Sequence, residues 1–121
     1  MNTIFVDAAG WLAYLDENHP LHADAQKSIL KYAGSIITSD LELLHLSTLV
    51  RILNIPINKE QVASLIWNLW EGDFGNVIRV SDEDQSIAWE VYLKITEPDI
   101  TFIDCLNSFL ISKLKAIRFS L

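Results

Sequence analysis

The chain has 121 residues, half of them apolar and 21% charged, the balance of one ordinary globular domain with enough bulk for a core. A single cysteine, Cys105, excludes an internal disulfide and a cysteine-rich zinc site, and fits a reducing, cytoplasmic setting. The formal net charge of −7, with nine scattered basic residues, excludes a protein that holds nucleic acid by a broad basic surface alone. RNA binding would need a bound metal, a local patch such as Lys113, Lys115 and Arg118, or an oligomer. Simple solubility explains the acidity equally well.

Read in chain order, Thr3–Val6 is a short apolar run of the kind buried on both faces of a sheet, ending at Asp7. The opening has no basic segment before this run, so no signal peptide is expected, and no stretch is long and apolar enough to span a membrane. Ala8 to Asp16 reads as a helix, broken at His19-Pro20, and Leu21 to Ala33 as a second. Gly34 stops it, and Ser35–Thr38 makes the next strand.

Ser39-Asp40-Leu41-Glu42 matches a capping box and opens a helix to about Leu53. Asn54 to Asn58, with Pro56, is a break. Lys59 to Glu71 is helical by period, Gly72 to Asn76 a loop, and Val77–Val80 a third strand. Two more capping patterns follow. Ser81-x-x-Asp84 starts a helix to Ile95, and Thr101-x-x-Asp104 starts one to about Lys113. Ala116 to Leu121 supplies a last short strand.

Strands alternating with helices predict parallel pairing through right-handed crossovers, hence a three-layer α/β/α sandwich in one domain spanning 1–121. Ligands of such sheets bind beyond the carboxyl ends of the strands. That rule directs attention to Asp7, to the Ser39 region and to the helix start at Thr101.

The opening IFVDAAGWLAYLDENHPLHADA resembles the start of a PIN domain, in which a strand ends in an aspartate and runs into a small-residue helix. ITSDLELLHLSTLVRIL is similar to that family's second strand and third helix. VIRVSDEDQSIAWEVYLKITEPDITFIDCLNSFLIS resembles the segment that ends in its Thr-Asp-Cys-type helix start. The likeness runs in one order over nearly the whole chain. It implies a PIN-like fold and the chemistry of metal-dependent endoribonucleases, many of them VapC-type toxins that pair with an antitoxin protein. Mg²⁺ or Mn²⁺ would be the cofactor and RNA the substrate.

Such chemistry needs carboxylates from separate elements, because hard cations take oxygen ligands and a bound metal lowers the pKa of its water. Matched residue by residue, the family's first aspartate is Asp7 and that of its Thr-Asp-Cys stretch is Asp104. The resemblance makes both of them metal-binding and catalytic. Each also has a purely structural reading, Asp7 as a helix cap and Asp104 as the third residue of a capping box.

Two departures stand out. Where the family carries a glutamate on the third helix, this chain has His45, and no acid follows Phe119 to match the family's final aspartate. His45 is either a neutral ligand that favours Mn²⁺ or a later transition metal, or a relic of a decayed site. Glu42, one turn earlier, could substitute for the missing acid, but a capping-box partnership with Ser39 accounts for it too. Asp99 is a further candidate ligand near Asp104, and Pro98-Asp99 also makes an ordinary turn.

His19 and His22 read as surface histidines and Cys105 as a small buried residue. Trp67 and Trp70 share a helix face, with a core role as the default reading and part of a homodimer seam as the other. The second functional reading is therefore a non-catalytic PIN-like module that binds itself or an antitoxin-like peptide. No Gly-rich phosphate loop occurs among the four glycines.

Overall fold

A computed structural model describes residues 2–120 of the chain. Met1 and Leu121, the last residue of the expected final strand, lie outside the described residues. The elements are β1 (Ile4–Phe5), α1 (Ala8–Leu15), α2 (His22–Lys31), β2 (Ile36–Ser39), α3 (Asp40–Ile52), α4 (Lys59–Glu71), β3 (Gly75–Ile78), α5 (Asp82–Lys94), α6 (Phe102–Lys113) and β4 (Ile117–Arg118). The sheet order is β3-β2-β1-β4 and every pairing is parallel.

Alternation along the two central strands makes the layers. Ile4, Val6 and Ile36 face one way and join Trp11, Ile29, Leu46 and Leu69 from α1 to α4 in one core. Phe5 and Ile37 face the other way and meet Val80, Ala88, Leu106 and Leu110, from the α5 and α6 side. Because side chains on a strand alternate between faces, two adjacent apolar residues feed two separate cores. The expected three-layer α/β/α sandwich is the architecture found.

The third strand lies two residues earlier than the sequence predicts. Gly72, at φ +86°, caps α4 in the left-handed region, and the chain enters β3 by Gly75. A Cβ on Gly75 would stand 2.8 Å from the Ile36 carbonyl oxygen, so this glycine allows the close pairing of Gly75 with Ile36. Val80 is buried just beyond the strand, where its N–H donates to Asp40 Oδ1.

Helix starts are well specified. Ser81 with Asp84 and Thr101 with Asp104 form complete capping boxes. A third, Asn58 with Gln61, opens α4 and was not anticipated from the sequence. Ser39 behaves differently. Its hydroxyl accepts from Glu42 N–H, yet the Glu42 carboxylate does not return the bond. The capping-box account of that side chain is therefore incorrect.

Candidate functional site

Three helix starts define the carboxyl edge of the sheet: α1 after β1, α3 after β2, and α6. Asp7 caps α1, its Oδ1 accepting from Gly10 N–H at 2.9 Å, and is half-buried. The next free N–H of that helix, on Ala8, points at Glu42 Oε2 at 2.5 Å. Glu42 Oε1 accepts from Asn107 Nδ2 of α6 at 2.6 Å. One carboxylate thus joins α1, α3 and α6.

Glu42 is 1% exposed. Burial pushes its pKa up, and the nearby Asp7 charge acts the same way; the bonds from Asn107 and Ala8 and the proximity of His45 pull it down. The positive end of α1 also favours an anion at this position. A buried acid of this kind is tolerable because both oxygens meet good donors.

Two polar atoms of the cluster have no partner among the described residues. They are His45 Nδ1 and Asn107 Oδ1, the latter on a side chain 3% exposed. His45 lies one turn beyond Glu42 on α3 and is partly buried. Asn107 was missed at the sequence level. Its type gives no signal by itself, and only the packing of α6 against α3 places it beside a carboxylate.

Asp104 lies one turn before Asn107 at the head of α6. Its Oδ2 accepts from Thr101 N–H at 2.9 Å, and its side chain is exposed. It borders a surface cleft with Cys105, Ser108 and Arg118, where the Arg118 guanidinium donates to Ser108 Oγ at 2.9 Å. Asp99 is exposed in the turn between Glu97 and Ile100. His22 Nδ1 bonds the Ala13 carbonyl, and His19 Nδ1 accepts from Leu21 N–H, so both histidines serve the α1–α2 turn. Cys105 is buried, as its small apolar character predicts.

The residues present do not fit a hard divalent cation. Among the described residues no three His, Cys, Asp or Glu side chains form a group that could hold a metal ion. Asp7 and Asp104 each spend an oxygen on a helix start, and Glu42 spends both on protein donors. Mg²⁺ asks for near-octahedral oxygen ligation, and both Glu42 oxygens already accept hydrogen bonds from the protein.

No protein-family model matches this sequence, and a search of curated protein sequences likewise returns no match. In three dimensions the chain is similar to Mycobacterium tuberculosis VapC20, described as a sarcin-ricin loop cleaving toxin, with a TM-score of 0.79 at 21% identity. The alignment covers 94% of this chain and 85% of that one. Among the described residues no helix is long and apolar enough to cross a membrane. The order of elements, the parallel four-stranded sheet and this similarity together make the fold that of the PIN-domain, VapC-type proteins.

Proposed function

We propose that this chain is a toxin-type PIN-domain protein in which a hydrogen-bonded network stands in the nuclease centre, so that it acts by binding protein partners. The observation that carries this reading is Glu42, buried and bonded to Ala8 N–H and Asn107 Nδ2 in place of a free ligand position. Its partners are a second copy of the chain or an antitoxin-like protein, in a cytoplasmic setting that suits the lone buried thiol. The fold supplies the scaffold, and function is argued from the site.

One observation favours a second reading, a metal-dependent endoribonuclease acting on RNA. His45 Nδ1 and Asn107 Oδ1 are unpartnered beside Glu42, and a nitrogen in the donor set would select Mn²⁺ or a later transition metal over Mg²⁺. Asp7 and Asp104 would then complete the site, with Asp99 the weakest contributor.

Calorimetric titration with Mn²⁺ and Mg²⁺, beside an Asp7→Asn control and an RNA cleavage assay, separates the two. The binding reading expects no saturable heat and no cleavage above the control. Saturable Mn²⁺ binding that Asp7→Asn removes, with cleavage lost in the same variant, would establish the nuclease.

A further inference from the structure

Two apolar surfaces stay outside both cores. On α4, Trp67 and Trp70 are 62% and 61% exposed, and their rings pack edge to face with centroids 5.2 Å apart. The sequence-level default of a core role for these tryptophans is thus incorrect: the α4 positions turned inward are Val62, Leu65 and Leu69. The second surface lies on the opposite side of the sheet, on α5, and its surroundings differ in charge.

Helix α5 is thinly held. Apart from Asp84 at its start, Ala88 is its one buried residue, and its main neighbour is α6. An outer helix normally carries its apolar residues in one stripe toward the core. This helix shows them to solvent as well. Trp89 and Leu93, one turn apart, are 46% and 79% exposed. Val91, 43% exposed, stands on another side with Ile95 a turn beyond it. Trp89 is fixed in place: its ring stacks on Phe102 of α6 with centroids 3.8 Å apart, and Tyr92 meets both rings edge-on. A large ring already held in one orientation loses little freedom when a partner covers it.

The apolar surface continues into a groove where the chain turns from α5 into α6. One cleft, of about 340 Å³, is walled by Tyr92, Leu93 and Pro98. A second, of about 570 Å³, is walled by Val91, Cys105 and Phe109. Ile95 and Ile100 border both, so the two meet.

Charge selects what covers this face. Residues 81–112 hold seven of the chain's sixteen acids (Asp82, Glu83, Asp84, Glu90, Glu97, Asp99 and Asp104) against one of its nine basic residues, Lys94, a net −6 within the total of −7. Asp84 is buried and paired with Lys113, and the other six acids are exposed. Glu97 and Asp104 border the clefts, Asp99 lies in the adjoining turn, and Glu90 follows Trp89 on α5. Arg118 is the one base among the residues that line the groove, and its guanidinium donates to Ser108 Oγ.

We propose that this face docks a basic amphipathic helix of a partner protein, with its apolar side chains on Trp89, Leu93 and the groove and its lysines or arginines on the acidic rim. Apolar residues one turn apart on α5 form a ridge against which a second helix packs, and the groove beside them receives its anchors. The rim attracts a cationic segment and disfavours other occupants. RNA would bring phosphates to a surface of the same sign, and a second copy of the chain would set one acidic rim against another. The inference goes beyond the binding reading, since it fixes the face and the partner's chemistry, and it holds whether or not the chain cleaves RNA.

The test uses the purified full chain and a fluorescently labelled helical peptide of about five turns, leucine along one stripe and lysine elsewhere, followed by anisotropy. This probe should bind saturably, and more weakly as salt rises. The same peptide with serine for leucine, or with glutamate for lysine, should bind at least roughly tenfold more weakly. Leu93→Ser should weaken the leucine–lysine probe by roughly fivefold, and Leu93→Ser with Glu90→Lys and Glu97→Lys by roughly thirtyfold or more. All three side chains are exposed, so the circular-dichroism spectrum should not change. An equal charge change on the other side of the sheet, Glu60→Lys with Glu71→Lys on α4, should alter binding by less than about twofold, because exposed charges beyond a Debye length are screened. Absence of saturable binding would overturn the inference. So would equal binding of the serine–lysine peptide, indifference to the α5 substitutions, or an equal loss in the α4 variant, each of which would reduce the effect to general attraction between opposite charges.

Discussion

The decisive perturbation is at Glu42, where two replacements separate a structural carboxylate from a ligand. Glu42→Ala leaves the Ala8 N–H and Asn107 Nδ2 as buried donors without acceptors, at about 1–2 kcal/mol each. It also opens a void at a site that is 1% exposed. Relief from holding a charge in apolar surroundings offsets part of this, for a net loss of about 3 kcal/mol. For a chain of this size that lowers Tm by roughly 12 °C.

Glu42→Gln tests the opposite side. The amide oxygen still accepts from Ala8 N–H, and the amide nitrogen, placed where Oε1 accepts from Asn107 Nδ2, donates to Asn107 Oδ1 once the Asn107 amide turns over. Shape and bonds are kept while the buried charge is removed. The substitution should therefore be neutral or stabilising at pH 7. The sign with pH is fixed by the raised pKa of Glu42. As pH rises through the usual carboxyl range the unfolded chain gives up its proton first, so the native protein loses stability until the pH passes the raised folded value. The Gln variant lacks this loss, so its advantage opens as pH rises above about 4 and then levels off. Urea denaturation of the three proteins from pH 4 to pH 8 measures both effects. A Gln variant as unstable as the Ala variant at neutral pH would refute the reasoning, since it would show that the site needs the charge itself.

Further outcomes follow from other parts of the molecule. His45→Glu places a carboxylate one turn from Glu42 and should give calorimetrically detectable Mn²⁺ binding, where the binding reading expects none from the native protein; silence there would mean that Asp7 and Glu42 are too firmly engaged to be recruited. Gly10→Ala should cost about 1–3 kcal/mol by denaturation, because a Cβ there would stand 2.8 Å from Val6 Cγ1 and 2.9 Å from Phe119 Cδ2. Ser81→Ala removes the cap of α5 and should cost about 1 kcal/mol, read as a Tm fall of a few degrees. Asp84 is held below its usual pKa chiefly by the Lys113 ammonium at 2.8 Å. Its stabilising contribution is present above the usual carboxylate range and lost as pH falls through the lowered value. Lys113→Met should flatten that acid limb, by well under 1 kcal/mol at neutral pH because the lysine is 51% exposed.

Much of the architecture is written in local pattern. The apolar runs at Ile4 and Ile36, the capping pairs at Ser81 and Thr101, and the stops at Gly34 and Gly72 act over a few residues, so the alternation of strand and helix can be read without knowing the fold. The shift of β3 to Gly75 could not be read that way. Register in a parallel pair depends on what the neighbouring strand permits, and Gly75 earns its place only against the Ile36 backbone.

At the site, Asp7 and Asp104 are visible as acids at predicted helix starts, because a cap is a local arrangement. What Glu42 does is not local. Its sequence neighbours point its carboxylate back to Ser39, while the carboxylate's actual partners are 34 and 65 residues away. Asn107 and the outward turn of Trp67 and Trp70 are hidden for the same reason. Sequence by itself determined the order of elements, the helix starts and the acids placed beside them. Only the tertiary structure decided which polar atoms are satisfied, where α6 meets α3 and α1, and which tryptophans face solvent, where α4 packs on the sheet, since these depend on contacts between residues far apart in the chain.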